Sequence, residues 1–189
     1  MVNLLQSIFL WFYCLPFGEI VMLVGIASIA YLWLFGRYRT SWVMKAVNGG
    51  LLICWLGVIV FATLWQRSTY GSSTTIALQP FHSYREIWNG GNVEIYRSNF
   101  MNVVLFYPAG LLATSLLPRK WPGWGRCVLV VILLAGMSVG IEFLQYRYCL
   151  GRCEIDDVIH NTAGALLGSL AALLLPPFLV FLKEKVKLK

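Results

Sequence analysis

The chain has 189 residues, 59% of them hydrophobic and 12% charged, with a formal net charge of +7 and a mean hydropathy of +0.71. An ordinary soluble domain is about 25% charged, and a soluble core cannot hide this much apolar surface. The positive charge in a soluble protein would suggest nucleic acid. Here the basic residues sit between apolar blocks, so anionic lipid headgroups are the expected partner and nucleic acid is not.

A membrane helix needs about 20 mostly apolar residues. Runs of that kind predict five spans, at 8–35, 43–65, 99–118, 126–146 and 158–182. The first charge is Glu19 and no basic leader precedes the first apolar block, so that block is expected to be retained rather than cleaved. Pro16, Gly18 and Glu19 interrupt it, which suggests that residues 1–17 form an interfacial segment leading into a span. The fifth run is expected to end at Pro176 and Pro177 or slightly beyond. Between the second and third spans lies a polar loop, 66–98, in which Phe81, Tyr84, Ile87 and Trp88 alternate with polar residues as in a short surface helix. No internal repeat or low-complexity segment divides the chain, so residues 1–189 read as one all-α membrane domain.

Charges in the short loops predict orientation. Arg37, Arg39 and Lys45 fall in the first loop, Arg119, Lys120 and Arg126 in the third, and Lys183, Lys185, Lys187 and Lys189 in the tail. The positive-inside rule places all three groups in the cytoplasm, and an alternating path through five spans allows this. The N-terminus and the loops 66–98 and 147–157 are then expected outside, and the C-terminus in the cytoplasm.

The polar residues within or beside the spans carry the chemistry. Asn99 and Asn102 share a face at the start of the third span, and Pro108 and Gly110 in its middle predict a kink or an opening of the helix. Glu142 and Gln145 share a face near the outer end of the fourth span, about one turn deep. An acid at that depth is costly unless it faces the bundle interior, so it marks a candidate site; a glutamate reaching headgroup water is the bland reading. In the fifth span Asp157, Asn161, Gly164 and Gly168 recur at intervals of four, three and four, on one stripe. Gly164 and Gly168 allow a neighbouring helix to come close, and Asp157 and Asn161 are expected to point at that same neighbour. The alternative is a helix cap at Asp156 or Asp157 and an interhelical glue role for Asn161.

Connectivity brings Asn102, Glu142, Gln145, Asp157 and Asn161 to one side of the membrane, with Arg152 in the adjoining loop able to pair with one of the acids. Such a pocket holds carboxylates suited to acid and base roles, with Glu142 and Asp157 the candidates, but no persuasive nucleophile. Ser138 lies on the Glu142 face, and His160 is three residues from Asp157 and able to pair with it. Of the five cysteines only Cys149 and Cys153, in one short loop, are placed to oxidise together or to bind a metal with His160; no metal and no cofactor is expected.

The segments NVVLFYPAG from Asn102 to Gly110, EFLQ from Glu142 to Gln145, and GRCEIDDVIHNTAGALLG from Gly151 to Gly168 together resemble the VanZ-like family of bacterial membrane proteins. The resemblance covers 99–172 and is most specific around DDVIHNTAG; the first two spans show no comparable motif. Two departures are visible: His160 stands where the family usually has an aliphatic residue, and the interval from Arg152 to Asp157 is about one residue short. The family's motif positions fall on Asn102, Pro108, Gly110, Glu142, Gln145, Arg152, Asp157, Asn161, Gly164 and Gly168. The resemblance implies a multi-pass protein of the bacterial plasma membrane, with relatives that include one raising resistance to the glycopeptide teicoplanin. The expected function is therefore action at the outer leaflet on a lipid-linked cell-envelope component or a lipophilic glycopeptide, without transport. An intramembrane enzyme using Glu142 and Asp157 on a lipid or cell-wall precursor is the alternative.

Overall fold

The computed structural model describes residues 16–38, 41–65, 76–89 and 93–187. Most of the interfacial segment expected at 1–17 and part of the loop 66–98 lie outside them. Helix α1 is Phe17–Tyr38, and α2 is Trp42–Val60, continued by a π-helical turn Phe61–Trp65. A two-residue strand β1, Ile76–Ala77, precedes the short helix α3, His82–Trp88. Then follow α4, Val93–Leu116, α5, Gly123–Arg147, the two-residue strand β2, Cys153–Glu154, and α6, Ile155–Lys187.

Hydrocarbon offers the backbone no hydrogen-bond partners, so apolar stretches of this length satisfy themselves as helices. Among the described residues, four stretches are long and apolar enough to cross a membrane: Trp42–Trp65, Glu94–Leu116, Gly123–Arg147 and Ile155–Pro177. Helix α1 has 22 residues and is apolar over Gly18–Leu34. The distribution of side chains is that of a membrane bundle rather than a soluble one. Ile53, Ile132, Leu133, Val139 and Leu174 are exposed, whereas Asn48, Thr114, Ser138 and Ser169 are buried between helices.

Helix boundaries extend past the apolar runs that predict them. Helix α4 begins at Val93 rather than 99, and α6 at Ile155 rather than 158, because hydropathy marks the membrane-embedded part of a helix and not its polar extension. Helix α6 also runs through Pro176 and Pro177 to Lys187, and Pro108 sits inside an unbroken α4, proline's φ being compatible with helix. Pro108 lacks the N–H that would bond the Val104 carbonyl; close by, the Trp55 indole donates to the Leu105 carbonyl at 2.8 Å. Further along α4, the Asn48 amide donates to the Leu112 carbonyl at 3.3 Å, so α2 is fastened to α4 at two levels.

Helices α4 and α6 run parallel and form the centre of the bundle. A Cβ on Gly164 would lie 2.2 Å from the Val103 carbonyl oxygen, one on Gly168 1.9 Å from that of Tyr107, and one on Gly110 2.2 Å from that of Ala165. Backbone touches backbone at all three points, which only glycine permits. Helix α5 packs on the other side of α6 and ends in a left-handed Cys149 (φ 53°), with Leu150 N–H bonded to the Gln145 carbonyl at 2.9 Å, a Schellman closure. Strands β1 and β2 pair in parallel, Ile76 opposite Cys153 and Ala77 opposite Glu154, tying the 66–98 loop to the loop after α5.

Candidate functional site

The ends of α2 and α5 and the starts of α4 and α6 meet at one end of the bundle, and there the buried polar residues concentrate. The Asn102 amide donates to Asp157 Oδ1 at 2.7 Å, joining α4 to α6. This bond lies about two turns before the Gly164–Val103 contact on α6, so the close helix approach that the glycines permit also brings these two side chains together. Glu142, on α5, is buried, and one of its carboxylate oxygens accepts the Glu154 backbone N–H at 2.9 Å. The Cys153 thiol also hydrogen-bonds Glu142. The strand β2 is thereby held over the α5 carboxylate.

Asp156 fastens a second layer. It accepts from Phe81 N–H at 2.6 Å, from Ser83 N–H at 2.8 Å and from the Ser83 hydroxyl at 2.5 Å. The Asn99 amide donates to the same Ser83 hydroxyl oxygen at 2.9 Å. Asp156 therefore caps α3 from outside that helix, whose N-cap residue Phe81 adopts φ 60°. His160, one turn further along α6, donates from Nδ1 to the Asp156 carbonyl at 2.5 Å, which leaves Nε2 to accept the Tyr84 hydroxyl at 2.8 Å. His160 thus pairs with Tyr84 rather than with Asp157. Helix α3 closes over the start of α6 through three side chains of that helix and α4.

Two further expectations need correction. Asn161 does not point at the same neighbour as Asp157: its amide donates to Ser138 on α5 at 2.8 Å, because a residue four positions on is rotated by about 40° around the helix. Arg152 pairs with Glu154 at 3.1 Å and Glu86 at 3.5 Å on the exposed rim, rather than with Glu142 or Asp157. Gln145 donates to the Thr63 carbonyl in the π-helical turn at 2.8 Å, which connects α5 to the end of α2. The carbonyl oxygens of the Gln145 and Asn161 amides are both buried without a hydrogen-bond partner. Pro108 and Gly110 lie deeper in α4, away from these polar groups, and Gly110 meets the Ala165 backbone.

Burial, then the Asp157 charge, pushes the Glu154 carboxyl above the ordinary glutamate value, and Arg152 opposes the shift. Burial and the nearby Glu142 and Asp157 charges raise the Cys153 thiol, which makes it a hydrogen-bond donor and a poor nucleophile. Burial also raises the Tyr84 hydroxyl. Among the described residues no group of three His, Cys, Asp or Glu side chains is arranged to hold a metal ion. Ser83, Glu86, Glu154 and Thr63 belong to this end of the bundle although nothing in their local sequence marks them; only the aromatic spacing around Tyr84 hinted at a helix there.

Comparison with known proteins bears out the family resemblance. The sequence model of the VanZ/LLP1 family matches residues 49–176, which extends the resemblance back from residue 99 into α2, the helix bound to α4 by Asn48 and Trp55. Protein VanZ of Enterococcus faecium is 28% identical over 130 residues, covering 66% of this chain and 72% of that protein. No solved structure matches.

Proposed function

The chain belongs to the VanZ/LLP1 family, and from that premise we propose that it is a multi-pass protein of the bacterial plasma membrane that binds or alters a lipid-linked envelope component at the outer leaflet, lowering sensitivity to glycopeptides such as teicoplanin. The observation that carries the reading is the Asn102–Asp157 bond at 2.7 Å beside the buried Glu142, which collects the motif positions of three separate helices at one end of the bundle. The basic residues Arg119, Lys120 and Arg126 lie at the opposite end, and the positive-inside rule supports an outer-face location for the polar end. Buried carboxylates and amides suit recognition of a multiply hydrogen-bonding headgroup. The raised thiol of Cys153 favours binding over nucleophilic chemistry. Susceptibility of a sensitive host expressing the wild type and site variants tests the proposal: protection by the wild type that Glu142→Gln abolishes supports it, and protection that the variant retains refutes it.

A further inference from the structure

We propose that the segment 76–88 is a membrane-interface element, seated with Leu78, Phe81 and Trp88 among phospholipid headgroups and upper acyl chains, so that the polar end of the bundle is roofed at the level of the lipid rather than in open water. The depth follows from helix length. A hydrocarbon layer of about 30 Å takes about 20 helical residues, and counting back about 20 from the last residue of α4, Leu116, reaches Arg97. Asn99, which holds Ser83 at 2.9 Å, therefore lies at the hydrocarbon boundary, and α3 with it.

Aromatic residues mark the same level. Exposed Trp42, Trp121 and Trp124 ring one end of the bundle, and exposed Trp65, Tyr96, Tyr146 and Tyr148 ring the other. Amphipathic rings of this kind concentrate at membrane interfaces. Trp88 is 89% exposed and belongs to the second ring. The opposite side of the segment is bound to the protein through Ser83 and Asp156, so the exposed apolar side chains have the lipid that already covers the neighbouring helices as their continuous surroundings. Arg85 is also exposed on α3, within reach of anionic headgroups.

The test is a depth measurement on the full chain in liposomes of phosphatidylethanolamine and phosphatidylglycerol. A nitroxide is attached through Trp88→Cys, and separately through Phe81→Cys, with the natural cysteines replaced. Position 132, facing lipid, and the same label on a soluble peptide serve as references. Oxygen is expected to reach the label better than a water-soluble nickel chelate, giving an accessibility ratio well above that of the soluble peptide at both sites. A ratio equal to that of the soluble peptide overturns the proposal, as does spin–spin broadening at 81 and 88, which would assign the face to a second copy of the chain. The control variants must retain the helical content of the wild type. This readout involves no antibiotic, so it fails or succeeds independently of the proposed function.

Discussion

Asn102 and Asp157 are hydrogen-bonded at 2.7 Å across the parallel pair α4 and α6, whose backbones come into contact further along at Val103 and Gly164. The first relationship depends on the second. A larger residue in the glycine seam would part the helices and with them the polar pair.

Gly168→Ala is therefore expected to destabilise the bundle by about 3 kcal/mol, the scale of overpacking a tight contact, since its Cβ would meet the Tyr107 carbonyl. Gly136→Ala, where a Cβ meets nothing within 4 Å, should be neutral or stabilising by about 0.5 kcal/mol. Thermal unfolding of both variants in detergent measures the difference, and equal midpoints would contradict close α4–α6 packing.

Asp156→Ala removes the acceptor of three hydrogen bonds from Phe81 and Ser83. Bonds to a charged acceptor contribute roughly 1.5–3 kcal/mol each, so amide-exchange protection of 81–88 should fall by at least about 100-fold, while the core of α4 keeps its protection. Unchanged exchange in α3 would show that Asp156 does not hold it.

These two cases also show what a sequence makes legible. That Asn102 and Asp157 lie at one end of the bundle follows from helix connectivity, because both lie near the starts of parallel spans; that they bond each other is visible only in the packing of α4 against α6. The apolar runs likewise announce the membrane helices. The grip of Asp156 on Ser83 does not follow, since the partners are 73 positions apart and the aromatic spacing at 81–88 suggests a short helix without setting which of its residues meets α6. Asn161 illustrates a finer limit: sharing a stripe with Asp157 predicts one neighbour for both, but the rotation between them turns Asn161 to Ser138 on α5. Arg152 was bound to seek an acid, but Glu86, one of its two partners, comes from that same short helix.

Glu154 gives a pH dependence with a definite sign. Burial holds its folded-state pKa above the ordinary value of 4.5, so at pH values between the two the folded protein binds more protons than the unfolded chain. Stability from this residue is present at low pH and declines as pH rises through that window. Unfolding midpoints measured from pH 4 upward should lose part of that decline in Glu154→Gln; an identical profile would contradict the shift.

At Cys153, burial and the Glu142 carboxylate disfavour the thiolate. Alkylation at pH 7 should be slower than for an unhindered peptide thiol and should accelerate in Glu142→Gln, monitored by mass spectrometry of the 148–160 peptide. No change on removing the charge would separate the thiol from Glu142.

The most direct measurement is teicoplanin susceptibility of a sensitive bacterial host expressing the wild type, Glu142→Gln or Asn161→Ala at matched membrane abundance. The wild type is expected to raise the inhibitory concentration, and both variants are expected to lose the effect. Equal protection by all three would contradict this expectation, leaving the buried polar end as a packing feature alone.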